Sequence, residues 1–284
     1  MSQTATLLIT GKDQKGLVYR ISEFIYRHQG NILHADHHID FETGLFLSRV
    51  EWDLDGFQLA PDEAATAVQA LAEELEMRWE LRFSDRPLRT AIFVSRYDHC
   101  LVDLLHRHAI GELPANVVAI VSNHLELQPL AHRYGIPFHH FPITAASKAA
   151  QEERELALLA ALRVDLVVLA RYMQILTAEF VARYPNRIIN IHHSFLPAFS
   201  GARPYAQAHA RGVKIIGASS HYVTAVIDEG PIIEQDTIRV SHRDTVEDLA
   251  RKGRDLERVV LARAVHLHLQ GRVLPCGNRT VVFD

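Results

Sequence analysis

Strand-like and helix-like segments alternate through the later part of the chain, and this alternation constrains the fold more than any other feature of the sequence. The segments run in the order strand 91–94, helix 101–108, strand 117–121, helix 127–134, helix 148–162 and strand 166–170. The last strand reads Leu-Val-Val-Leu-Ala, without a polar residue, as expected for a strand covered on both faces. This pattern predicts an α/β fold with a doubly wound, mostly parallel sheet and helices on both faces. Farther along, 215–223 and 231–240 predict a hairpin, and 245–270 predicts a long terminal helix.

The first part of the chain has a different order of elements. Its segments are strand 5–10, helix 16–28, strands 32–41 and 45–52, helix 62–77 and strand 80–83. This βαββαβ order predicts a ferredoxin-like domain. The polar stretch 84–87 is the best linker. We therefore predict two domains, 1–84 and 85–284.

Composition excludes several classes of protein. The formal net charge is −4, and no basic ribbon stands out, so we expect no nucleic-acid partner. The longest apolar runs have the length of strands, so we expect no membrane segment. Cys100 and Cys276 cannot form a disulfide framework, and the N-terminus lacks the regions of a signal peptide, which favours a cytoplasmic protein. The 18 histidines show no HExxH spacing, so we expect no metal.

The candidate site centres on the predicted strand 187–192, which ends in Asn190-Ile191-His192 and is followed by His193. Residues two apart on a strand share a face, so Asn190 and His192 are predicted to point the same way and His193 elsewhere. Asn190 offers an amide donor for an oxyanion, and His192 can donate a proton near neutral pH. Asp228, before a Gly-Pro turn, can orient the histidine or activate water. Ligands of open α/β sheets bind at the carboxyl ends of strands, where this motif lies.

Two nucleotide-binding motifs are absent. The segment 11–16 begins like a phosphate-binding loop, but Leu17 stands where that loop needs Lys. No GxGxxG follows any strand of the second domain, and 95–100 has no glycine, which argues against a nicotinamide dinucleotide. His99, in that segment, is either a substrate-site residue or part of a helix start around Asp98.

Asp13-x-x-Gly16-Leu17, after the first strand of the βαββαβ unit, resembles an ACT domain. The resemblance implies that Asp13, Gly16 and Leu17 contact a small amino-acid effector. It also implies a homo-oligomer, since ACT units usually pair.

Three motifs in the second domain resemble the formyltransferase family that uses 10-formyltetrahydrofolate. They are Asn190-x-His192-x-Ser194-x-Leu196-Pro197, Arg171-x-Met173-x-Ile175-Leu176 and His221-x-Val223-Thr224-x-x-x-Asp228-x-Gly230-Pro231. The resemblance implies that Asn190, His192 and Asp228 are catalytic. The residues it assigns to the folate substrate are Arg171, Tyr172, Met173, Ile175, Leu176, Ser194, Leu196, Pro197, His221, Val223 and Thr224, to which we add His99.

Two departures distinguish the chain from family members that formylate glycinamide ribonucleotide. Those members carry a Gly-Ser-rich loop for the acceptor phosphate, whereas here 95–100 has no glycine and adds Asp98. Residue 193 is His where the transferases have Pro. Together with the ACT-like domain, these features resemble the hydrolytic branch of the family, the formyltetrahydrofolate deformylases.

The resemblance implies hydrolysis of 10-formyltetrahydrofolate to formate and tetrahydrofolate, a reaction that supplies one-carbon and purine metabolism. It also implies that the reaction needs no metal and no cofactor. Two alternatives stay open: a phosphoribosylglycinamide formyltransferase with a regulatory domain, and a non-catalytic amino-acid sensor with a degenerate formyltransferase domain.

Overall fold

The computed structural model describes residues 3–144, 146–198 and 203–283. The chain forms two units: Met1–Pro87 with Gln270–Cys276 and Thr280–Asp284, and Leu88–Leu269 with Gly277–Arg279. The first boundary falls in the predicted linker. The prediction that all of 85–284 belongs to the second domain is wrong for the C-terminus, because Leu274 and Phe283 are buried in one cluster with Leu8 and Leu47 of the first unit.

The first unit has the predicted βαββαβ order. Its elements are β1 (Thr4–Lys12), α1 (Leu17–Arg27), β2 (Asn31–Asp40), β3 (Leu45–Asp53), α2 (Pro61–Glu74) and β4 (Arg78–Phe83). The strands form an antiparallel sheet in the order β2-β3-β1-β4, which is the ferredoxin-like topology. On β1, Leu7 and Ile9 pack in the same core cluster as Ile21 of α1 and Val68 of α2. Leu8 points to the opposite face, where the C-terminal segment covers it.

The second unit contains the predicted α/β fold. Its elements are β5 (Arg89–Val94), α3 (His99–Ala109), β6 (Asn116–Ser122), α4 (Gln128–Arg133), β7 (Phe138–His140), α5 (Lys148–Ala161), β8 (Leu166–Leu169), α6 (Ala178–Arg183), β9 (Ile188–His192), α7 (Pro204–Arg211), β10 (Ile215–Tyr222), β11 (Ile232–Arg239) and α8 (Val246–Leu269). The strand order is β11-β10-β9-β8-β5-β6-β7. Strands β9, β8, β5, β6 and β7 pair in parallel with their neighbours. Strand β10 pairs antiparallel with β9, and β10 and β11 form the predicted antiparallel hairpin. The short elements β7, α6 and α7 were not predicted, and neither were β12 (Val273–Cys276) and β13 (Arg279–Val282), which pair with each other.

Both faces of the large sheet are buried. Ala91 and Phe93 of β5 pack in one cluster with Leu159 of α5 and Phe180 of α6. Ile92, between them, faces the other way and is also buried, and helix α8 packs along β9, β10 and β11. The parallel arrangement of β8 and β9 brings their carboxyl ends to one edge. Among the described residues, no helix has both the length and the apolarity that a membrane crossing requires.

Candidate active site

A cavity of about 610 Å³ lies at the carboxyl ends of β8 and β9. Three segments that are distant in sequence surround it: the loop after β8, the end of β9, and the segment between β10 and β11. The lining residues are Leu169, Arg171, Tyr172, Met173, Gln174, Ile175, Leu176, Asn190, Ile191, His192, His193, Arg203, His221, Val223, Thr224, Ala225, Val226, Ile227 and Asp228. The cavity thus contains the predicted trio of Asn190, His192 and Asp228.

The side chains of His192 and Asp228 are in contact within the lining of this cavity. His192 Nδ1 lies 3.2 Å from Asp228 Oδ1, and the two side chains are 7% and 16% exposed. A carboxylate only accepts hydrogen bonds, so Nδ1 carries the proton. This hydrogen bond is the main cause that lowers the pKa of Asp228, although burial opposes it. The other ring nitrogen of His192, Nε2, is buried without a hydrogen-bond partner among the described residues.

The turn after β10 fixes the position of Asp228. Asp228 has a left-handed backbone, with φ of 57°. A side chain on Gly230 would place its Cβ 1.7 Å from the carbonyl oxygen of Tyr222, so only glycine fits this close approach. The Gly-Pro pair in the sequence therefore marks a backbone contact that brings Asp228 to His192.

Asn190 is held by His221. The two residues lie opposite each other on β9 and β10, and Asn190 Nδ2 is 3.2 Å from His221 Nε2. His221 Nδ1 donates to the carbonyl of Tyr222 at 2.9 Å, and burial lowers the pKa of His221, so the neutral ring accepts at Nε2. Asn190 therefore donates one amide N–H to His221 and keeps the other for a ligand.

The loop after β8 forms another wall of the cavity. It begins at Arg171, whose φ is 63°. The hydroxyl of Ser95 accepts the backbone N–H of Met173 at 2.9 Å and donates to Asn123 at 2.8 Å. Tyr172 donates its hydroxyl to the buried Glu155 at 3.1 Å. The glycine-free segment after β5 thus serves as a support for this wall.

His193 differs from the prediction. It lines the cavity together with Asn190 and His192, and its ring centre lies 5.2 Å from that of His192 and 5.9 Å from that of Tyr205. Strand β9 ends at His192, so the alternation of side chains no longer applies one residue later. Burial, together with the charge of Arg171, lowers the pKa of His193 to about 4, so this ring is neutral at physiological pH.

Four residues assigned to the substrate do not line the cavity. The Ser194 hydroxyl donates to the carbonyl of Ala198, and the Leu196 N–H donates to the hydroxyl of Ser219. With Pro197, which follows Leu196 through a cis peptide bond, they form the turn that leaves β9. The fourth, His99, begins α3 and directs Nε2 to Glu257, 2.8 Å away. The other assigned folate residues, at 171–173, 175–176, 221 and 223–224, all line it.

Glu257 contacts several of these side chains, and it was not among the predicted site residues. The carboxylate of Glu257 is 1% exposed, accepts from His99 and from the hydroxyl of Tyr205, and lies 3.4 Å from Arg171 Nε. In the sequence, Glu257 is a carboxylate on the same face of α8 as the buried Leu249 and Leu261, since the three positions are separated by multiples of four residues. This position could have marked Glu257 as a buried charge. Gln174, Arg203, Ala225, Val226 and Ile227 also line the cavity and were not predicted. All but Arg203 lie inside or directly beside the quoted motifs.

The only potential metal-ligand group found among the described residues is His99, Cys100 and Glu257, whose donor atoms lie within 4.8 Å of one another. Its surroundings do not suit a metal cation. The carboxylate already faces the positive charge of Arg171, and burial raises the pKa of the Cys100 thiol well above its usual value. A neutral thiol is a poor metal ligand.

Several known proteins resemble this chain in sequence or in structure. Residues 88–265 match the family model described as formyl transferase. The formyltetrahydrofolate deformylase of Synechocystis sp. is 61% identical over 99% of this chain and 98% of its own length. The crystal structure of a formyltetrahydrofolate deformylase from Pseudomonas syringae pv. tomato has a TM-score of 0.98 at 44% identity, and the match covers 100% of this chain and 95% of that one. Glycinamide ribonucleotide transformylase 1 from Symbiobacterium toebii has a TM-score of 0.66 at 34% identity, covering 70% of this chain and 95% of that one. The chain therefore belongs to the formyl transferase family and, within it, to the formyltetrahydrofolate deformylases.

Proposed function

We propose that this chain hydrolyses 10-formyltetrahydrofolate to formate and tetrahydrofolate. The observation that carries the proposal is the pair of His192 and Asp228 in the cavity that Asn190 also lines, with the buried Nε2 of His192 free of partners among the described residues. These groups are what hydrolysis of a formamide-like bond requires: two donors for the oxyanion and a carboxylate for the proton of water.

The cavity suits a folate. It is large enough for a pterin with its attached ring, since ligand pockets of this kind span about 300–1,000 Å³. Apolar side chains of Met173, Ile175, Val226 and Ile227 line it. We assign the loops that carry these side chains to substrate binding.

The proposed reaction starts with His192 protonated on both ring nitrogens. Nδ1–H is donated to the ionised Asp228, and Nε2–H is donated to the formyl oxygen of the substrate. Water attacks the formyl carbon, and its proton passes to Asp228 while Asn190 and His192 stabilise the oxyanion. The tetrahedral intermediate then collapses: the bond from carbon to N10 breaks as N10 takes up the proton that Asp228 received from water, and formic acid forms. Formate leaves, and one proton is released to solvent.

Water is the proposed acceptor, for two reasons. The deformylases match nearly the whole chain, whereas the glycinamide ribonucleotide transformylase from Symbiobacterium toebii matches 70% of it. In addition, buried side chains occupy the region after β5: Ser95 bonds Asn123, and His99 bonds Glu257. This filling argues against the phosphoribosylglycinamide formyltransferase alternative, and the complete trio argues against a degenerate domain.

The test is formate release from 10-formyltetrahydrofolate with no acceptor present. We expect turnover by the wild-type chain, unchanged by glycinamide ribonucleotide. Formylation of that nucleotide would assign the chain to the transferases, and absence of any formyl loss would favour a sensor without catalysis.

For the first unit, we propose an ACT domain that binds a small amino acid and pairs with a second copy. The ferredoxin-like topology supports this assignment. Asp13 and Gly16 are exposed in the loop between β1 and α1, whereas the side chain of Leu17 is buried, so only its backbone is offered to an effector.

A heat-shift screen of the full chain with the common amino acids tests this proposal. We expect one amino acid to raise the Tm, and Asp13→Ala, but not the neighbouring Lys15→Ala, to remove the shift. No shift with any amino acid would contradict effector binding, and a monomer in light scattering would contradict pairing.

A further inference from the structure

Glu257 is a buried carboxylate surrounded by the donors that a bound oxyanion would need. The hydroxyl of Tyr205 donates to Oε1 at 2.5 Å, and His99 Nε2 lies 2.8 Å from Oε2. Arg171 Nε lies 3.4 Å from the same Oε2, close enough for an ion pair but without the geometry of a hydrogen bond among the described residues. These donors come from the start of α3, the loop after β8 and helix α7, and Glu257 itself comes from α8. One carboxylate thus holds together four elements that are distant in sequence.

The position of Tyr205 shows that the arrangement is built into the backbone. Tyr205 lies against Gly253, one helical turn before Glu257 on α8. A Cβ on Gly253 would lie 2.0 Å from the Tyr205 hydroxyl oxygen, so no larger residue fits while Tyr205 reaches Glu257. The sequence Gly253-Arg-Asp-Leu-Glu257 is therefore one unit: the glycine makes room for the tyrosine, and the glutamate accepts its hydrogen bond.

Charge explains why this residue is a carboxylate. Burial acts against the ionised form, but the hydrogen bond from His99, the charge of Arg171 and the hydrogen bond from Tyr205 together lower the pKa of Glu257. Arg171 is 9% exposed and always charged, and its guanidinium lies 5.2 Å above the ring of Tyr97. If Glu257 were replaced by a neutral residue, the positive charge of Arg171 at the cavity wall would lose its carboxylate counterion.

The network reaches His192 through contacts between tilted aromatic rings. Tyr205 contacts His193, whose ring contacts His192, and Arg171 opens the loop that lines the cavity. Fixing Tyr205 and Arg171 therefore fixes two sides of the site.

We infer that Glu257 is a built-in anion: its carboxylate takes the place of a bound oxyanion among His99, Arg171 and Tyr205. It acts as a positioning residue for the wall at Arg171 and for the ring contacts of Tyr205 and His193 with His192, and it closes this side of the site to acceptors that carry a phosphate. The catalytic part of this inference rests on the proposed hydrolysis. The anion-binding part does not, because it is measured by binding.

The test replaces the carboxylate by a small anion. Glu257→Ala leaves a space lined by the three donors, and displacement of the wall lowers kcat about 10²-fold, the typical cost of misplacing a reacting geometry by about 1 Å. We expect millimolar acetate to restore part of the activity, and its neutral analogue acetamide to restore none. Acetate and inorganic phosphate should each raise the Tm of this variant, by about 2–4 °C at saturation, without raising that of the wild type.

Two further variants separate positioning from folding. Glu247→Ala, an exposed glutamate on the same helix, is the matched control and should behave as wild type. Glu257→Gln keeps the volume and one acceptor oxygen but loses the charge; we expect a lower kcat with the KM for the folate changed less than about threefold. This variant also decides the matter if Glu257→Ala does not fold.

Absence of any acetate or phosphate effect on folded Glu257→Ala, or a wild-type kcat in Glu257→Gln, would overturn the inference. So would zinc binding by the wild-type chain through His99, Cys100 and Glu257, since the carboxylate would then be a metal ligand. If the wild type releases no formate but Glu257→Ala binds anions, the proposed function fails while the built-in anion stands.

Discussion

Replacing Asp228 by Asn tests the centre of the proposed mechanism, because it removes one charge and keeps the shape of the side chain. His192 Nδ1 and Asp228 Oδ1 are 3.2 Å apart. Opposite unit charges at this distance attract by about 1.3 kcal/mol in water and by about 5 kcal/mol at an effective dielectric constant near 20. Since about 1.4 kcal/mol corresponds to a factor of ten in rate, these limits correspond to losses of about tenfold and of several thousandfold.

The side chain of Asp228 is 16% exposed, so the true value lies between the limits, and we expect kcat to fall on the order of 10²–10³-fold. Folate affinity should change less than about threefold, because the loops that line the cavity are not altered. Formate release under single-turnover conditions measures the first quantity, and titration with unreactive tetrahydrofolate measures the second. Asp255→Asn, an exposed aspartate paired with Arg258, is the control. Turnover within threefold of wild type in Asp228→Asn would refute the role of the charge pair.

Three other changes test separate parts of the structure. Asn190→Ala should lower kcat about 10²–10³-fold through loss of an oxyanion donor, with folate affinity retained; unchanged single-turnover rates would contradict this. Gly230→Ala, whose Cβ would lie 1.7 Å from the carbonyl oxygen of Tyr222, should displace the Asp228 turn and abolish activity, and a crystal structure of an active variant with an unmoved turn would contradict it. Burial raises the pKa of Glu155 to about 7, so the folded state favours its protonated form, and the stability that this form provides is lost as pH rises from about 4.5 to about 7. Glu155→Gln should therefore flatten the fall in unfolding free energy over that range, by on the order of 3 kcal/mol in urea titrations, whereas the exposed Glu153→Gln should not.

The same cavity wall depends on groups with opposite preferences for charge. Tyr172 donates to Glu155, whose protonated form burial favours, while Arg171, the preceding residue, faces Glu257, whose ionised form its partners favour. In this loop, Tyr172 is therefore held by a carboxyl group whose protonated form is favoured, and the preceding Arg171 is held by an ionised carboxylate that serves as its counterion. This difference comes from the partners and not from the residue type.

The order of strands and helices was readable from the sequence because it depends on local periodicity. Strand β8 is apolar throughout, since it lies in the middle of a sheet buried on both faces. The short helices α6 and α7 were missed because six and eight residues are too few to show a helical period. The place of the C-terminal segment was also missed, because nothing near Leu274 in sequence indicates that its partner is Leu8.

By itself, the sequence determined the two fold types and the trio of Asn190, His192 and Asp228. Strand alternation and turn chemistry act over a few residues, and the motifs of the family carry the rest. Only the tertiary structure decided that His193 joins the cavity, and that His99 turns to Glu257, 158 residues away along the chain. The physical reason is that burial and pairing of charges depend on distances in space. Those distances are set only when the loop after β8 and helices α3, α7 and α8 pack together.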